Sequence, residues 1–298
     1  MRDGRIPAQT SARGFSLVEL AVVMAIVAFL LGGMIFTLSA QVEQRNFEET
    51  RRRLEQAREL VLAFAIVNGR LPCPARSTSA GAEVRVADTD VTIANRGKCQ
   101  DAGGIQDYYG GALAGPATGG LLPAQTIGFL QVDSSGFAVD SWGNPIRYAV
   151  ARTLASGTCS GTSTLPHFTN ALNLRSNGIT CQSGDLIVCK SSTAAGIDAS
   201  ASPPTCGAGG ANQIMTSGLV VATIFSTGKN YSSTTAATSV DEATNLKTNA
   251  ALSPLINALF VWHTPTSSTA ASGEFDDQMT WITVGELYGK LISAGILP

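Results

Sequence analysis

Charged residues are scarce in this chain of 298 residues, since Asp, Glu, Lys and Arg make up only 14% of it, against about 25% in an average soluble protein. The formal net charge is −2, which argues against a strongly basic nucleic-acid-binding protein, so we expect no nucleic acid as a partner by default. The chain has two histidines and no C-x-x-C spacing, which disfavours a zinc site. Hydrophobic residues make up 44% of the chain, enough for a sizeable core, and this excludes a disordered tail.

Sequence signatures of common enzymes are also missing. The chain contains no G-x-S-x-G elbow, no P-loop and no Rossmann glycine fingerprint. His167 could in principle pair with a serine and an aspartate, but a structural histidine is the simpler interpretation. We therefore expect a protein that is not an enzyme, has no catalytic residues and needs no organic cofactor.

Proline is missing from residues 8–71, and this gap contains a long apolar segment. Residues 15–38 carry one charge, that of Glu19. Because about 20 helical residues cross the hydrocarbon layer of a bilayer, residues 15–38 are long enough to span a membrane. Residues 1–14 hold three arginines and one aspartate, which predicts that the N-terminus stays in the cytoplasm and the rest is exported. A cleaved secretory signal is the alternative, but its apolar core would be shorter and a cleavage site would follow it.

The helix is predicted to continue beyond the apolar segment to residue 68. Residues 41–68 contain neither proline nor glycine, and charged residues fill most of their surface. Apolar residues recur close to helical spacing at Phe47, Leu54, Ala57, Val61, Phe64 and Val67. Asn68-Gly69 and then Pro72 end the pattern. We expect this amphipathic half to pack its apolar stripe on an antiparallel sheet.

Residues 13–20, Arg-Gly-Phe-Ser-Leu-Val-Glu-Leu, resemble the prepilin-peptidase site of type IV pilins and type II secretion pseudopilins. The resemblance implies that prepilin peptidase cuts between Gly14 and Phe15 on the cytoplasmic side and methylates Phe15. It also implies that Glu19, the fifth residue of the mature chain, pairs with the N-terminal amine of a neighbouring subunit during assembly. The implied partners are prepilin peptidase, other pilin or pseudopilin subunits, inner-membrane lipid and the assembly platform.

A second segment, Asp-Ser-Trp-Gly-Asn-Pro at residues 140–145, is similar to the D-x-W-G-N-P segment of major-pseudopilin-like proteins. The residues fit a tight turn that leads into a strand, with Trp142 as an apolar plug. We assign this segment a structural role.

The residue pattern and the resemblance together imply an α+β, pilin-like fold, in which a long N-terminal helix packs on an antiparallel β-sheet head. The predicted parts are a leader peptide (1–14), a transmembrane and assembly helix (15–38), an amphipathic stalk helix (39–72) and an exported globular head (73–298). Strands are predicted at residues 146–150, 185–189, 219–225, 259–262 and 279–283, followed by a C-terminal helix at 284–296. Stretches rich in Gly, Ser, Thr and Ala are predicted as surface loops at residues 110–120, 191–210, 232–238 and 264–273.

All six cysteines follow the apolar segment: Cys73, Cys99, Cys159, Cys181, Cys189 and Cys206. An even number on the exported side predicts disulfides in an oxidising compartment, here the periplasm. The sequence does not choose among the possible pairings. Short loops favour Cys73 with Cys99 and Cys181 with Cys189.

Glu274, Asp276 and Asp277 lie close together beside a predicted strand. Carboxylate oxygens bind calcium, and some pseudopilins carry a calcium loop near the C-terminus, so the resemblance allows a calcium site here. The spacing matches no EF-hand loop. The alternative is a solvated acidic turn that keeps a strand edge soluble.

The sequence thus predicts a structural subunit of a type II secretion pseudopilus or a type IV pilus, polymerised through its N-terminal helix. It would first sit in the bacterial inner membrane, with its N-terminus in the cytoplasm and its head in the periplasm. The alternative is a minor pilin or tip adhesin whose large, hydroxyl-rich head contacts a surface, a substrate or DNA. The sequence does not distinguish a pseudopilus from a pilus.

Overall fold

The computed structural model describes most of the chain after the predicted leader. It covers residues 14, 16–92, 95–100, 108, 120–152, 166–181, 183–194, 196–198, 205–207, 209–216, 218–231, 239–246 and 258–297, apart from the side chains of residues 31–39. Phe15, Cys159 and the predicted loop 232–238 lie outside the described residues. The chain divides into two compact units, Met1–Phe47 and Glu48–Pro298.

The first element, α1 (Leu17–Asn68), is one helix of 52 residues, which agrees with the absence of proline from this stretch. It ends before Gly69, whose φ of 65° lies in the left-handed region that favours glycine. Buried residues recur at helical spacing over its last turns: Thr50, Leu54, Ala57, Val61, Leu62 and Ala65. Val67 was expected in this stripe but is 82% exposed, because it lies about 240° around the helix from Val61.

Within the part of the chain that the structure describes, no helical stretch is both long enough and apolar enough to cross a membrane. This finding differs from the expectation for residues 15–38, of which the described side chains end at Leu30.

Four shorter helices follow α1 in the described residues, together with a 3-10 turn at Gly178–Thr180: α2 (Ala124–Ile127), α3 (Ala171–Asn177), α4 (Val240–Asn245) and α5 (Val284–Ser293). Eight strands accompany them: β1 (Arg147–Val150), β2 (Ile187–Cys189), β3 (Ile197–Asp198), β4 (Thr205–Cys206), β5 (Gln213–Met215), β6 (Val220–Ser226), β7 (Leu259–Val261) and β8 (Gln278–Thr283). The mixed α+β class is therefore confirmed. Each of the five predicted strands and the C-terminal helix is present, whereas α2, α3, α4 and β5 were not predicted, and β3 and β4 lie in a predicted loop.

The strands form two three-stranded sheets and one short pair. The first sheet is antiparallel in the order β1-β6-β8, and every residue of its central strand β6 is buried. The second sheet has the order β5-β2-β7, and β2 runs antiparallel to β5 but parallel to β7. The expectation of a wholly antiparallel head is therefore wrong for this sheet, because a long stretch of chain separates β2 from β7 and lets β7 enter in the same direction. Strands β3 and β4 pair with each other.

One large hydrophobic cluster holds this second unit together. It contains the buried residues of α1 from Leu54 onward and side chains of β1, β6, β8 and α5. Arg58 of α1 donates to the carbonyl of Trp281 on β8 (3.1 Å) and forms an ion pair with Glu286 at the start of α5 (2.5 Å). The last turns of α1 thus pack against the antiparallel sheet, as the amphipathic pattern predicted.

Disulfides link distant segments of the second unit. The structure pairs Cys73 with Cys99, the pairing that the short loop favoured, and pairs Cys189 with Cys206. Cys181 is also disulfide-bonded, so the predicted pairing of Cys181 with Cys189 is wrong. The reason is that the β3–β4 pair folds back on β2 and places Cys206 beside Cys189 in a second, smaller core.

The turn at residues 140–145 leads into β1, as the sequence suggested, whereas Trp142 within it is only half-buried. The buried carboxylate of Asp140 accepts hydrogen bonds from the backbone N–H groups of Trp142 (2.9 Å) and Asn144 (2.8 Å). Its second oxygen accepts from the Ser226 hydroxyl at the end of β6 (2.6 Å). Arg53 of α1 donates to the Asp140 carbonyl (2.7 Å). One turn therefore ties α1 to the central strand of the first sheet.

Candidate processing and assembly site

The start of α1 is closed by a reciprocal pair of hydrogen bonds. The backbone N–H of Ser16 donates to the Glu19 carboxylate (2.9 Å), and the backbone N–H of Glu19 donates to the Ser16 hydroxyl (3.2 Å). This is a capping box, which satisfies two N–H groups that a helix start would otherwise leave without partners. Its signature, Ser-x-x-Glu before an apolar run, is present in the sequence at residues 16–19 but was not among the predictions.

The capping box gives Glu19 a role within its own chain. The residue is exposed, and it adds negative charge to the first turn, where the helix dipole favours an anion. Its carboxylate therefore needs no buried partner in the separate chain. Phe15, whose amine is the predicted partner of Glu19 in an assembly, lies outside the described residues.

Gly14 precedes this cap and makes no close contact that would require a glycine. A Cβ built at Gly14 would have nothing within 4 Å. The described fold would therefore accept a side chain at this position. The described residues therefore give no steric reason for a glycine at this position.

The first turns of α1 expose apolar side chains on all sides. Every described residue from 17 to 30 is exposed, although most of them are aliphatic. The most exposed large side chains are Leu17 (86%), Phe29 (85%), Val18 (71%) and Met24 (65%). A helix that is apolar all round is normally buried in lipid or against other helices. This segment therefore offers apolar surface that the described chain itself does not cover.

A second candidate site lies in the unit Glu48–Pro298. One carboxylate oxygen from each of Glu242, Asp276 and Asp277 lies within 4.8 Å of the others, and all three residues are buried. We call these three residues the acidic cluster. Glu242 lies on α4, and the two aspartates directly precede β8. The predicted ligand Glu274 is not part of it, because its carboxylate pairs with the Lys229 ammonium (3.4 Å).

Burial dominates the electrostatics of the acidic cluster. Burial raises the pKa of Asp276 to about 6. The hydrogen bond that its carboxylate accepts from the Lys229 backbone N–H acts in the opposite direction and lowers this pKa. Burial also raises the pKa of Asp277 well above its ordinary value, although its carboxylate accepts a hydrogen bond from the Asn245 amide (2.7 Å). The nearby negative charge of Glu242 raises the pKa of both aspartates further. The predicted solvated acidic turn is therefore wrong for these two aspartates.

His167 lies in the core beside Phe168 and Tyr288. The Tyr288 hydroxyl donates to the Cys181 carbonyl (2.5 Å), so it accepts from Nε2 of His167 (2.9 Å). Burial lowers the pKa of His167 to about 4, and the ring is neutral at physiological pH. The contacts described for His167 are those of a structural histidine.

His263 approaches a serine and an aspartate, but in the wrong order for nucleophilic catalysis. Asp241 lies between them, because its carboxylate accepts from the Ser192 hydroxyl (2.7 Å) and its other oxygen is 3.6 Å from the His263 ring. A serine nucleophile needs the histidine next to it, so that the ring can take its proton. This arrangement instead fixes the loop after β2 to the start of α4.

The comparison with known families finds one match. Residues 10–35 match the family model described as the prokaryotic N-terminal methylation motif, which is the signature of type IV pilins and pseudopilins. The match includes Gly14, Phe15 and Glu19 and ends before the second half of α1. No curated protein and no solved structure matches the chain. The motif indicates a pilin-like or pseudopilin-like precursor and implies processing by prepilin peptidase and assembly with other pilin subunits.

Proposed function

We propose that this protein is a structural subunit of a type IV pilus or a type II secretion pseudopilus. Prepilin peptidase removes residues 1–14 and methylates Phe15, and the mature chain polymerises through the first turns of α1. The observation that carries this proposal is the exposed apolar surface of residues 17–30, which begins inside the matched motif. Other copies of the same helix would cover this surface in a filament.

The chemistry of Glu19 fits this proposal. Its carboxylate is exposed in the separate chain. To pair with another group during assembly, it would only have to give up the exposed hydrogen bond from the Ser16 N–H. Inside a bundle of apolar helices, an unpaired carboxylate costs several kcal/mol. The methylated N-terminal amine of a neighbouring subunit would supply the positive charge. Glu19 would thus select a register in which every carboxylate meets an amine.

We further propose that the unassembled subunit sits in the inner membrane through residues 15–38, with its N-terminus in the cytoplasm. The basic leader supports this orientation, and the disulfides of the second unit suit an oxidising periplasm. An alkaline phosphatase fused after Pro298 should be active, because that enzyme needs the same compartment. A fusion that is inactive but stably expressed would contradict this orientation.

Mass spectrometry of the membrane-extracted protein tests the processing step. We expect wild-type chains to begin at Phe15 with one added methyl group. Gly14→Leu should keep the leader attached, because the described fold tolerates a side chain there and only the peptidase would reject it. Gly4→Leu, a matched change outside the motif, should be processed normally. Normal cleavage of Gly14→Leu would contradict the proposed site.

The assembly step is tested with Glu19→Gln, which keeps the side-chain shape and removes the charge. This variant should be exported, cleaved and folded like the wild type, but it should be missing from sheared filaments. Glu48→Gln, an exposed charge change further along α1, should be incorporated normally. Equal incorporation of both variants would refute the role given to Glu19.

A further inference from the structure

Three segments of the second unit meet at the C-terminal end of α1. A Cβ built at Gly69, directly after α1, would lie 3.6 Å from Cγ2 of Ile296 and 3.7 Å from the Cβ of Ala171. These contacts bring together the end of α1, the start of α3 and the residues after α5. The Tyr288 hydroxyl of α5 also donates to the Cys181 carbonyl (2.5 Å), which places the 3-10 turn that follows α3 beside α5.

The three segments leave four large aliphatic side chains exposed, which we call the end patch: Val67 (82%), Leu172 (56%), Ile179 (62%) and Ile292 (45%). Ile292 lies one helical turn beyond Tyr288, on the same face of α5. One exposed aliphatic side chain is normal on a protein surface. Four of them on segments that meet indicate a surface that contacts another apolar surface.

The charge beside the end patch is positive. The segments that form it, residues 60–71, 166–181 and 287–297, contain no Asp or Glu. Arg175 is exposed and lies three residues after Leu172, a spacing that puts both side chains on one face of α3. Its guanidinium forms no ion pair or hydrogen bond with any residue that the structure describes. A surface that combines apolar side chains with a free carboxylate would therefore complement the end patch.

A second exposed apolar surface lies on a hairpin that contacts α1. The Val139 N–H donates to the Gln131 carbonyl (3.0 Å), and the Val139 carbonyl accepts from Arg53 of α1 (3.0 Å). The two neighbours of Gln131, Leu130 and Val132, are 79% and 41% exposed. From Arg53 the helix continues for about 22 Å to its end, so this surface is separate from the end patch.

The hairpin carries a negative charge. Asp133 follows Val132, is exposed, and is the only charged residue from 129 to 139. Its Oδ1 accepts from two backbone N–H groups at the tip of the hairpin, whereas its Oδ2 accepts no hydrogen bond from the described residues. We call the three exposed side chains of this surface the hairpin patch: Leu130, Val132 and Asp133.

We propose that the end patch of one copy of this protein docks on the hairpin patch of a second copy. Both surfaces are apolar, and the free carboxylate oxygen of Asp133 and the free guanidinium of Arg175 carry opposite charges, which can pair at the rim of the contact. Two end patches would instead face each other with like charges, and so would two hairpin patches. Charge complementarity therefore favours contact between unlike patches.

Contact between unlike patches has a consequence for assembly. Each copy that binds through its end patch keeps its hairpin patch open for a further copy, so copies add one after another and need not close into a two-fold dimer. The inference rests on the proposed function, because it names a second surface, besides α1, through which the copies of a filament meet.

Photo-crosslinking in membranes of cells that express the full-length protein tests this contact. A p-benzoyl-phenylalanine in place of Leu130 should capture a second copy, and mass spectrometry should locate the crosslink within residues 166–181 of that copy. Arg175→Glu should lower the crosslinked fraction by about threefold or more, because the new carboxylate would face Asp133. Asp133→Lys added to Arg175→Glu should restore it.

Lys290→Glu is the matched control for Arg175→Glu. Lys290 is an exposed cation of α5, but its side chain points about 160° away from that of Ile292 around the helix. The change of charge is the same and occurs near the end patch but on another face. The crosslinked fraction of this variant should equal that of the wild type.

Three results would overturn the inference: no crosslink between copies, a crosslink that lies outside the segments of the end patch, and equal crosslinked fractions in Arg175→Glu and Lys290→Glu. Should Asp133→Lys lack the wild-type circular dichroism spectrum, Ile179→Ser replaces it as a second test and should also lower the crosslinked fraction. Sheared filaments are measured separately. Filaments without the crosslink would refute this contact alone, whereas the crosslink without filaments would refute the proposed function alone.

Discussion

Two regions of the same helix differ in what covers their apolar side chains. In residues 17–30 every described residue is exposed, and Phe29 is 85% exposed. In residues 50–65 the apolar side chains form one stripe, and Leu62 is 1% exposed. Both regions belong to α1 and both are helical, so backbone conformation does not distinguish them.

The difference is in the arrangement of polar residues. Charged residues occupy the outer faces of the second region, and some are fixed there by ion pairs such as Arg53 with Glu49 (3.2 Å). The first region has Glu19 as its only charged residue and exposes apolar side chains in every direction. A stripe specifies one partner surface within the same fold, whereas an apolar surface on all sides requires an environment that surrounds the helix. The same helix thus contributes to the core at one end and leaves its apolar side chains exposed at the other.

Truncation of one leucine in each region tests this division and should give the largest effect. Leu62→Ala leaves a cavity in the core and should lower the free energy of unfolding by about 3 kcal/mol. Leu20→Ala, at a side chain that is 58% exposed, should lower it by less than about 0.5 kcal/mol but should reduce incorporation into filaments. Urea unfolding of the full-length protein in detergent, followed by tryptophan fluorescence, measures the two free energies of unfolding. The amount of each variant in sheared filaments measures incorporation. Equal destabilisation by the two variants would contradict the division.

A pH experiment asks how completely the core around His167, in the unit Glu48–Pro298, excludes water. Because burial lowers the pKa of His167 to about 4, the unfolded chain takes up a proton at this residue below about pH 6.5 while the folded chain does not. Stability should therefore fall as the pH falls from about 6.5 to about 4, by about 3 kcal/mol in total. His167→Gln should lose this dependence, and the measurement is the difference in unfolding free energy between the two proteins at each pH.

The unfolding free energy of the wild type has to be compared with that of His167→Gln, because Asp276 changes stability with pH in the opposite direction. Its pKa of about 6 is raised by burial, so the folded chain binds its proton more readily than the unfolded chain between about pH 4 and 6. This contribution is common to both proteins and cancels. A wild type and a His167→Gln variant with the same pH dependence would show that the core around His167 admits water.

Local patterns allowed the sequence to predict most of the elements that depend on neighbouring residues. The helix followed from an uninterrupted stretch without proline, and the strands at residues 219–225 and 279–283 followed from apolar runs between turn residues. The Ser16–Glu19 capping box had a signature that could have been used. Val67 does not belong to the buried stripe because it lies about 240° around the helix from Val61.

Contacts between distant segments could not be derived in this way. Glu242 approaches the backbone N–H of Asp276 across 34 residues (3.3 Å), and nothing in the local sequence of either residue indicates the other. The pairing of Cys189 with Cys206 depends in the same way on how β3 and β4 fold back. The candidate processing site was predictable because its residues are consecutive, whereas the acidic cluster required the fold.

Two aspartates in equivalent turns show how much burial adds to the same hydrogen bonds. Asp140 accepts from the N–H groups two and four residues later, and Asp133 accepts from those of Ser135 (2.8 Å) and Phe137 (2.9 Å). Asp140 is buried and Asp133 is exposed. Asp140→Ala leaves buried donors without partners and should lower the free energy of unfolding by about 2 kcal/mol, whereas Asp133→Ala should lower it by about 0.5 kcal/mol. Urea unfolding decides, and the reverse order would contradict the structural role of the turn at residues 140–145.

The smallest effect is expected at the start of the exposed region, where a capping box closes the first turn of α1. Ser16→Ala removes the hydroxyl that accepts from the Glu19 N–H and should weaken the first turn of α1 by about 1 kcal/mol. This corresponds to about fivefold faster hydrogen exchange at the amides of Glu19 and Leu20, which donate to Ser16. Ser16→Asp restores an acceptor and should exchange like the wild type. The unfolding free energy of the unit Glu48–Pro298 should be the same in all three proteins, because the residues of its hydrophobic core do not include Ser16 or Glu19. Similar exchange in Ser16→Ala and Ser16→Asp would mean that something other than Ser16 fixes the start of α1. A change in the unfolding free energy of the unit Glu48–Pro298 would mean that the two ends of the helix are not independent.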